Sequence, residues 1–323
     1  MEKYLDRRWI ITSISLVFVV IFVLVIYWSS EPDVFNVKPQ TNQAPITGVT
    51  LTDTLHKVGT AMLDKPGGYL SNDVIPPSVF MDDMPAWEFG VLEMVRDLAL
   101  VMRTDFSRSQ SQSLENPSLV YAQPKFNIDH RSWILPSAES QYRDGLDAIE
   151  DYMLDLKDPS QGEAQFFARA DNLRIWLKQV EKRMGSLSQR LSASVGQERL
   201  NTDLAGDPAA RQSTPNASQL QIKTSWWQLD NNFHEARGAS WALLHFLKAV
   251  EVDFADVLEK KNAVVSLQQI IRELDATQQT LWSPMILNGS GFGPLANHSL
   301  VMANYISRAN AALIDLTELL EQG

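Results

Sequence analysis

The chain has 323 residues, a net charge of −11 and no cysteine. The absence of cysteine excludes disulfides, thiolate metal sites and a cysteine nucleophile, and the acidic balance argues against a nucleic-acid partner and against electrostatic binding to anionic lipid. No complete metal or cofactor motif is present, so we expect neither a metal nor a cofactor.

An apolar run occupies residues 9–28 and contains no charged residue, glycine or proline. About 20 helical residues at 1.5 Å each span the roughly 30 Å of a bilayer's hydrocarbon core. Basic residues precede the run and acidic residues follow it: Lys3, Arg7 and Arg8 before, Glu31 and Asp33 after. This charge asymmetry predicts a cytoplasmic N-terminus, and no small-residue cleavage site follows the run. We therefore predict a cytoplasmic stub over residues 1–8, a retained transmembrane anchor over 9–30, and export of the remainder.

Residues 31–50 contain three prolines and little periodicity, which predicts an extended tether. A helical periplasmic domain is predicted over residues 51–323. It begins with a short helix over 52–62, capped by Thr52 or Asp53, and a second helix over 82–103. The stretch PSLVYAQPKFNIDHRSWILP is rich in β-type residues and proline, which predicts an extended segment with at most a short hairpin. The N-terminal portion of the domain is therefore expected to be less regular.

Beyond Ser137, a predicted helix cap, apolar residues recur every three or four positions, the period of an α-helix. A strict heptad seam runs over residues 166–191, and further seams follow over 226–257, 264–281 and 302–320. The heptad seam predicts either a coiled coil with another chain or, as we favour, a helix facing its own bundle. A polar, Gly/Pro-interrupted stretch near 196–218 is a possible break between subdomains. The predicted fold is mainly α, a soluble bundle of long antiparallel helices.

A polar stripe follows one edge of the predicted core helix near residue 230. Asp230, His234, Arg237 and Trp241 are spaced by four, three and four, and His245 extends the stripe. An imidazole oriented by Asp230 could act as a general base while Arg237 holds an anion, which is the minimum set of groups for hydrolysis of a charged substrate. The alternative, which we favour, is an intrahelical ion pair within a helix-packing network.

A second candidate lies in NGSGFGPLANHS, where three alternate glycines resemble a phosphate-binding loop before the last helix. No strand precedes the glycines and no lysine follows them, so a tight interhelical turn is the better interpretation. On the helix that follows, another polar stripe consists of Asn297, Asn304, Arg308 and Asp315. If the two stripes face each other, they enclose a polar ligand pocket with His298 at its mouth.

Several long stretches together resemble one family: KPGGYLSNDVIPPSVFMDDMPAWEFGVLEMVRDLA, FSRSQSQS, SWILPSAESQYR, EARGASWALLHFLKAVEVDF and WSPMILNGSGFGPLANHSLVMANYISRANAA. The chain is similar to a family of Gram-negative bacterial proteins filed as domain of unknown function 2333. The resemblance implies an inner-membrane protein with one N-terminal anchor and a periplasmic body, and it implies no activity.

Two functions remain open at this point. One is a cell-envelope scaffold or protein-interaction module, which binds an envelope protein or associates with itself through its helical seams. The other is a periplasmic hydrolase or an anion- or ligand-binding module with its polar site around His234. The two differ in whether the polar stripe is fully paired inside the bundle or open to a pocket.

Overall fold

The computed structural model describes residues 2–38, 46–110, 112–158, 160, 164–200, 219–283, 285–290 and 292–322. Within these ranges the chain forms ten α-helices and one antiparallel hairpin. The helices are α1 (Glu2–Trp28), α2 (Val49–Asp64), α3 (Asp83–Val101), α4 (Pro117–Phe126), α5 (Ala138–Lys157), α6 (Ala170–Ser192), α7 (Leu229–Asp253), α8 (Ala255–Lys260), α9 (Val264–Ala276) and α10 (His298–Glu321). The hairpin pairs β1 (Gln197–Leu200) with β2 (Gln219–Ile222). The possible break near 196–218 falls on this hairpin and on residues 201–218, which lie outside the described residues.

Helix α1 differs from the other helices because it projects from the bundle. It is the one helix, among the described residues, that is long and apolar enough to cross a membrane, over Arg8–Trp28. Over residues 8–28, whose side chains the structure describes, the partly covered ones share one stripe near the end of the helix: Ile21, Leu24, Val25 and Trp28. A Cβ at Gly67 would lie 2.7 Å from Cγ of Trp28, so the indole packs directly on the Gly67 backbone.

The centre of the bundle is the pair α3 and α7. Their backbones approach closely because glycine stands at both contact points. A Cβ at Gly90 would lie 2.0 Å from the Glu235 carbonyl oxygen, and one at Gly238 would lie 2.1 Å from that of Trp87. A side chain at either position would force the helices apart. This pair fixes the position of the predicted polar stripe on α7.

The heptad seam is filled within the chain. Helix α6 packs along α10, and α10 also packs along α9. The seam side chains of α6 are buried: Leu173, Leu177, Val180, Met184, Leu187 and Leu191. The facing side chains of α10 are buried as well: Ile306, Ala309, Leu313, Leu316 and Leu320. The seam therefore faces the chain's own bundle, so that this surface is not open to a second chain.

One predicted segment was wrong. Residues 117–126, expected to be extended, form helix α4. Asn116 caps the helix by accepting a hydrogen bond from the Leu119 backbone N–H at 3.3 Å. Pro117 occupies the first turn, where no backbone donor is needed, and Pro124 lies in the last turn, where it costs one hydrogen bond. Leu119 and Phe126 bury one face of the helix, which outweighs that loss.

The cap of α2 also differs from the prediction. The helix begins at Val49, three residues before Thr52, and its first turn is bonded from the far end of α7. The Leu51 backbone N–H donates to Oδ2 of Asp253 at 2.7 Å. Burial raises the pKa of Asp253 to about 6, although bonds from the α2 backbone oppose the rise. The N-terminus of α2 is thereby fixed to the C-terminus of α7.

A buried ion pair holds the irregular loop between α2 and α3. Lys65 and Glu88 contact each other with both side chains fully buried. The carboxylate also accepts hydrogen bonds from the backbone N–H groups of Leu70 and Ser71, both at 2.8 Å. Burial raises the pKa of Glu88, and the Lys65 charge opposes this. The ion pair therefore attaches Lys65, at the start of the loop, to Glu88 on α3.

Candidate functional site

The polar stripe on α7 binds a carboxylate that belongs to the chain itself. Glu31 lies three residues beyond the end of α1. Its Oε2 accepts a hydrogen bond from Nε of Arg237 at 2.5 Å, and its Oε1 lies 3.4 Å from Nδ1 of His234. Burial alone would raise the pKa of Glu31, but the hydrogen bond with His234 and the charge of Arg237 outweigh burial and lower it. Glu31 is therefore an anion at neutral pH.

Arg237 is completely engaged by this arrangement. The residue is 7% exposed. Besides Glu31, its guanidinium donates to the carbonyl oxygens of Thr277 at 2.8 Å and Gln279 at 2.9 Å. These carbonyls follow the C-terminus of α9, where unpaired acceptors and the helix dipole favour a cation. The anion that Arg237 holds is thus Glu31 of the chain itself, whereas the prediction concerned a substrate.

His234 lies between two carboxylates, and neither is the predicted one. Its Nδ1 faces Glu31, and its Nε2 lies 3.7 Å from Oδ1 of Asp83 at the start of α3. Asp230, the expected orienting group, accepts a hydrogen bond from the backbone N–H of Asn231 at 3.0 Å. Burial raises the pKa of Asp83, while the nearby His234 lowers it. The structure brings His234 and Arg237 together around Glu31 and leaves Asp230 beside the group.

A second contact fixes the same segment about two turns beyond Arg237 along α7. The Phe35 backbone N–H donates to Nε2 of His245 at 3.0 Å, and the two rings stack with centroids 3.9 Å apart. The other ring nitrogen of His245 faces the Trp241 carbonyl oxygen at 2.7 Å, which places the proton on Nδ1. Burial lowers the pKa of His245 to about 4, so the ring is neutral at neutral pH.

Trp241 is part of the core. It is 1% exposed and packs between Phe35, with ring centroids 5.9 Å apart, and Trp87, at 5.3 Å. Such a position leaves the indole ring no face for a ligand. Its role is to support the Phe35 contact.

The glycine-rich segment before α10 is part of the connection between α9 and α10, which runs over residues 277–297 and is longer than the tight turn that we favoured. Oδ1 of Asn297 accepts from the Leu300 N–H at 2.9 Å and caps α10, while its Nδ2 donates to the Gly289 carbonyl at 2.5 Å. Nδ1 of His298 accepts from the Leu287 N–H at 2.9 Å. Both candidate ligand-binding side chains therefore hold the turn together.

Arg308 and Asn304 lie on an exposed face of α10. Arg308 pairs with Glu273 of α9 at 2.6 Å, and its guanidinium lies 4.9 Å from the centroid of the Tyr305 ring. Asn304 is exposed to solvent. Neither residue lines the cavity that α7 and α10 enclose.

That cavity is an open, largely apolar cleft of about 500 Å³ between α7, α10 and the segment after α9. Arg237 and His298 both reach its wall, but the cleft is not the polar pocket predicted between the two stripes, because Asn304 and Arg308 do not line it. The larger part of the lining is apolar: Phe233, Leu281, Trp282, Val301, Met302 and Tyr305. Among the described residues, no group of three or more His, Asp or Glu side chains is placed to hold a metal ion.

Comparison with known proteins places the chain in a family. The model of the family described as an uncharacterized protein conserved in bacteria, DUF2333, matches residues 3–323. The chain belongs to this family. No curated protein and no solved structure matches it. Membership in DUF2333 thus establishes a bacterial protein, and the family description names no activity.

Glu31 is the residue of this group that sequence reasoning missed. The sequence assigned it only as a charge flanking the apolar run, because nothing in a helical period links it to residues more than 200 positions away. The nearest signal was the pair of apolar residues that follow it, Phe35 and Val37, which a free tether has no reason to carry.

Proposed function

We propose that this protein is a single-pass inner-membrane protein with a cytoplasmic N-terminus, and that its periplasmic helical bundle is a scaffold or protein-interaction module of the cell envelope. The apolar helix over Arg8–Trp28, the basic residues before it and the acidic residues after it support this orientation. The proposed domain begins where α1 ends and includes residues 31–323.

The observation that carries this proposal is the ion pair between Glu31 and Arg237. A hydrolase of an anionic substrate needs a free cation and a free base at its site. Arg237 has its charge balanced by Glu31 and its remaining donors bonded to α9 carbonyls, and His234 faces two carboxylates. These groups attach the bundle to the segment that leaves the anchor. These side chains hold one segment of the chain against another, and this structural role supports a scaffold function.

The orientation can be tested with single cysteines, because the chain has none of its own. Lys3→Cys places a thiol in the predicted cytoplasmic stub, before the apolar run, and Glu259→Cys places one on the exposed face of α8. A membrane-impermeant maleimide added to cells with a permeabilised outer membrane should label Glu259→Cys at once and Lys3→Cys only after lysis. The reverse pattern, or labelling of Lys3→Cys before lysis, contradicts the proposal.

A partner can be sought with photo-crosslinking side chains placed one at a time on exposed apolar helix positions, such as Leu154, Ile175 and Val265. A scaffold should give one discrete adduct from neighbouring positions in intact cells. The adduct should disappear when the same position is placed in a variant with a disrupted bundle. Equal, diffuse adducts from all positions would count against a specific partner.

A second candidate function rests on the cleft between α7 and α10. Its volume of about 500 Å³ and its aromatic lining are typical of a site for an apolar small molecule. Thr280→Trp would fill this cleft, whereas Gln269→Trp adds the same side chain to an exposed face of α9. Native mass spectrometry should show a co-purifying molecule with the wild type and with Gln269→Trp but not with Thr280→Trp. Its absence from all three contradicts this second function.

A further inference from the structure

One end of the bundle lies directly at the end of α1. Glu31, three residues after α1, contacts α7 near its N-terminus through His234 and Arg237. Those residues reach Asp83 at the start of α3 and Thr277 after the end of α9. The loops attached to these helix ends therefore lie on the side of the bundle from which α1 departs.

Four loops meet at this end: residues 65–82 before α3, 127–137 before α5, 223–228 before α7 and 277–297 before α10. Direct bonds join the first two. The Tyr69 hydroxyl donates to the His130 carbonyl at 3.1 Å, and Nδ2 of Asn72 donates to the Ser132 carbonyl at 3.0 Å. The first two loops thus form one surface beside the point where α1 ends, and the other two loops lie at the same end of the bundle.

This surface is unusually apolar. Its exposed apolar side chains, which we name the apolar rim, are Val74, Ile75, Val79, Phe80, Trp133, Ile134, Leu135, Trp226, Trp227, Trp282, Met285, Phe292 and Leu295. All the exposed tryptophans outside α1 belong to the rim: Trp133, Trp226, Trp227 and Trp282. Tryptophan concentrates at membrane interfaces because its ring is apolar and its N–H seeks a polar partner.

The charge pattern of the last of the four loops agrees with this, whereas the first two loops carry the exposed charged residues Asp73, Asp82, Asp129 and Arg131. Residues 277–297 contain no Asp, Glu, Lys or Arg, although about four would be expected from the chain's charged fraction of 21%. Exposed loops of soluble bundles are usually polar, since charge keeps them hydrated. A charge-free loop with an exposed Trp282 and Phe292 instead suits the boundary between headgroups and acyl chains.

Two observations favour lipid over a protein as the occupant. The rim is continuous with the end of α1, the helix that spans the membrane in the proposed function. In addition, the partly covered side chains among residues 8–28 of α1 lie on one stripe of its last two turns, and Trp28 packs on Gly67 in the first of the four loops. The bundle and the span therefore meet without an intervening linker.

We propose that the apolar rim inserts into the interfacial layer of the same membrane that α1 spans, so that the bundle is held against the bilayer by its end as well as by its anchor. The inference rests on the proposed membrane anchoring. Rim burial in lipid accounts for exposed aromatic side chains that the bundle core does not use.

The opposite end of the bundle supplies matched controls. Leu114 and Val265 are single exposed apolar residues, 95% and 76% exposed, in the loop after α3 and at the start of α9. Both elements lie near the far end of α7, where Phe106 contacts Phe254. They are as exposed as the rim residues Ile75 and Phe292 but lie away from α1.

The test uses the full chain in nanodiscs with one cysteine carrying an environment-sensitive fluorophore at Ile75, Trp282 or Phe292, and at Leu114 or Val265 as controls. Nanodiscs with and without lipid spin-labelled near the headgroup are compared. We expect quenching of about two-fold or more at the three rim positions and none at the controls. All these side chains are exposed, so labelling leaves the core intact, and thermal unfolding of each variant checks this.

A label at Phe18, at the middle of the span over Arg8–Trp28, separates the two proposals when it is measured in nanodiscs whose lipid is spin-labelled near the end of the acyl chain. If Phe18 is quenched and the rim positions are not, the rim inference is overturned while the anchor stands. If Phe18 is not quenched either, the anchor proposal itself fails. Equal quenching at rim and control positions would also overturn the inference, because it would show non-specific collapse of the bundle onto lipid.

Discussion

The contact between Glu31 and Arg237 can be tested with Glu31→Gln, which keeps the shape of the side chain and removes its charge. The Arg237 side chain is 8% exposed and the two groups are 2.5 Å apart, so the variant leaves a buried guanidinium without its counter-ion. Removing one partner of a buried ion pair costs roughly 3–5 kcal/mol. The α9 carbonyls still solvate Arg237, so we expect a loss at the low end, about 3 kcal/mol.

This loss should appear first as opening of residues 31–38. The readout is hydrogen exchange of the full chain, measured on the peptide that contains Phe35, whose N–H is bonded to His245. A cost of about 3 kcal/mol corresponds to exchange that is roughly 100-fold faster if the segment opens as one unit. Asp33→Asn is the matched control, because it removes the same charge from an exposed position two residues away.

The reasoning fails if Glu31→Gln exchanges at the wild-type rate, which would mean that the segment is held without this ion pair. It also fails if Asp33→Asn accelerates exchange as much as Glu31→Gln, since a general charge effect would then explain both.

Three further predictions concern the bundle. Gly238→Ala should lower the free energy of unfolding by about 1–3 kcal/mol, because the added Cβ would collide with a backbone carbonyl. Gly185→Ala should raise it by about 1 kcal/mol, because the nearest atom to its added Cβ would be 3.7 Å away. Denaturant titration measures both free energies, and equal effects would contradict the close contact at Gly238. Burial lowers the pKa of His245 to about 4 in the folded protein, from an ordinary value of 6.5, so the unfolded chain takes up the proton first as pH falls. This difference contributes about 3 kcal/mol of stability, which is fully present above pH 6.5 and is lost as pH falls toward 4. Unfolding followed over this pH range should show that the wild type loses this amount relative to His245→Gln. The difference between the two proteins is compared because the raised pKa of Asp253 makes both of them more stable as pH falls through the same range. Lys65→Met should destabilise the fold by about 3 kcal/mol and Lys65→Met with Glu88→Gln by less, as scanning calorimetry would show; equal losses would remove the charge argument.

The long helices could be predicted from the sequence because their buried side chains recur at the helical period over many turns. Helix α4 could not be, because two prolines and several β-type residues conceal a single buried face of three turns. Its cap, Asn116, was the available signal. Glycine at 90 and 238 carried no periodic signal either, since its role depends on which helix lies opposite.

The sequence predicted several side chains of the candidate site but not the residues that they contact. The spacing placed His234, Arg237 and His245 on one stripe, and the structure keeps them there. Their partners, Glu31 and Phe35, lie more than 200 positions earlier, and such distant contacts are decided by the packing of the whole bundle. The same limit applies to the two polar stripes, since Arg308 points to α9 rather than to α7.

The attachment of residues 31–38 along α7 determines how far the bundle extends from the end of α1. With a free 20-residue linker, the distance between the bundle and the end of α1 would vary over about 25 Å. With Glu31 and Phe35 fixed to α7, that freedom is removed, and the 25 residues of α7 place its far end about 37 Å from its near end. The far end of α7 therefore stays at a fixed distance from the end of α1, and a partner that binds at the far end binds at that distance.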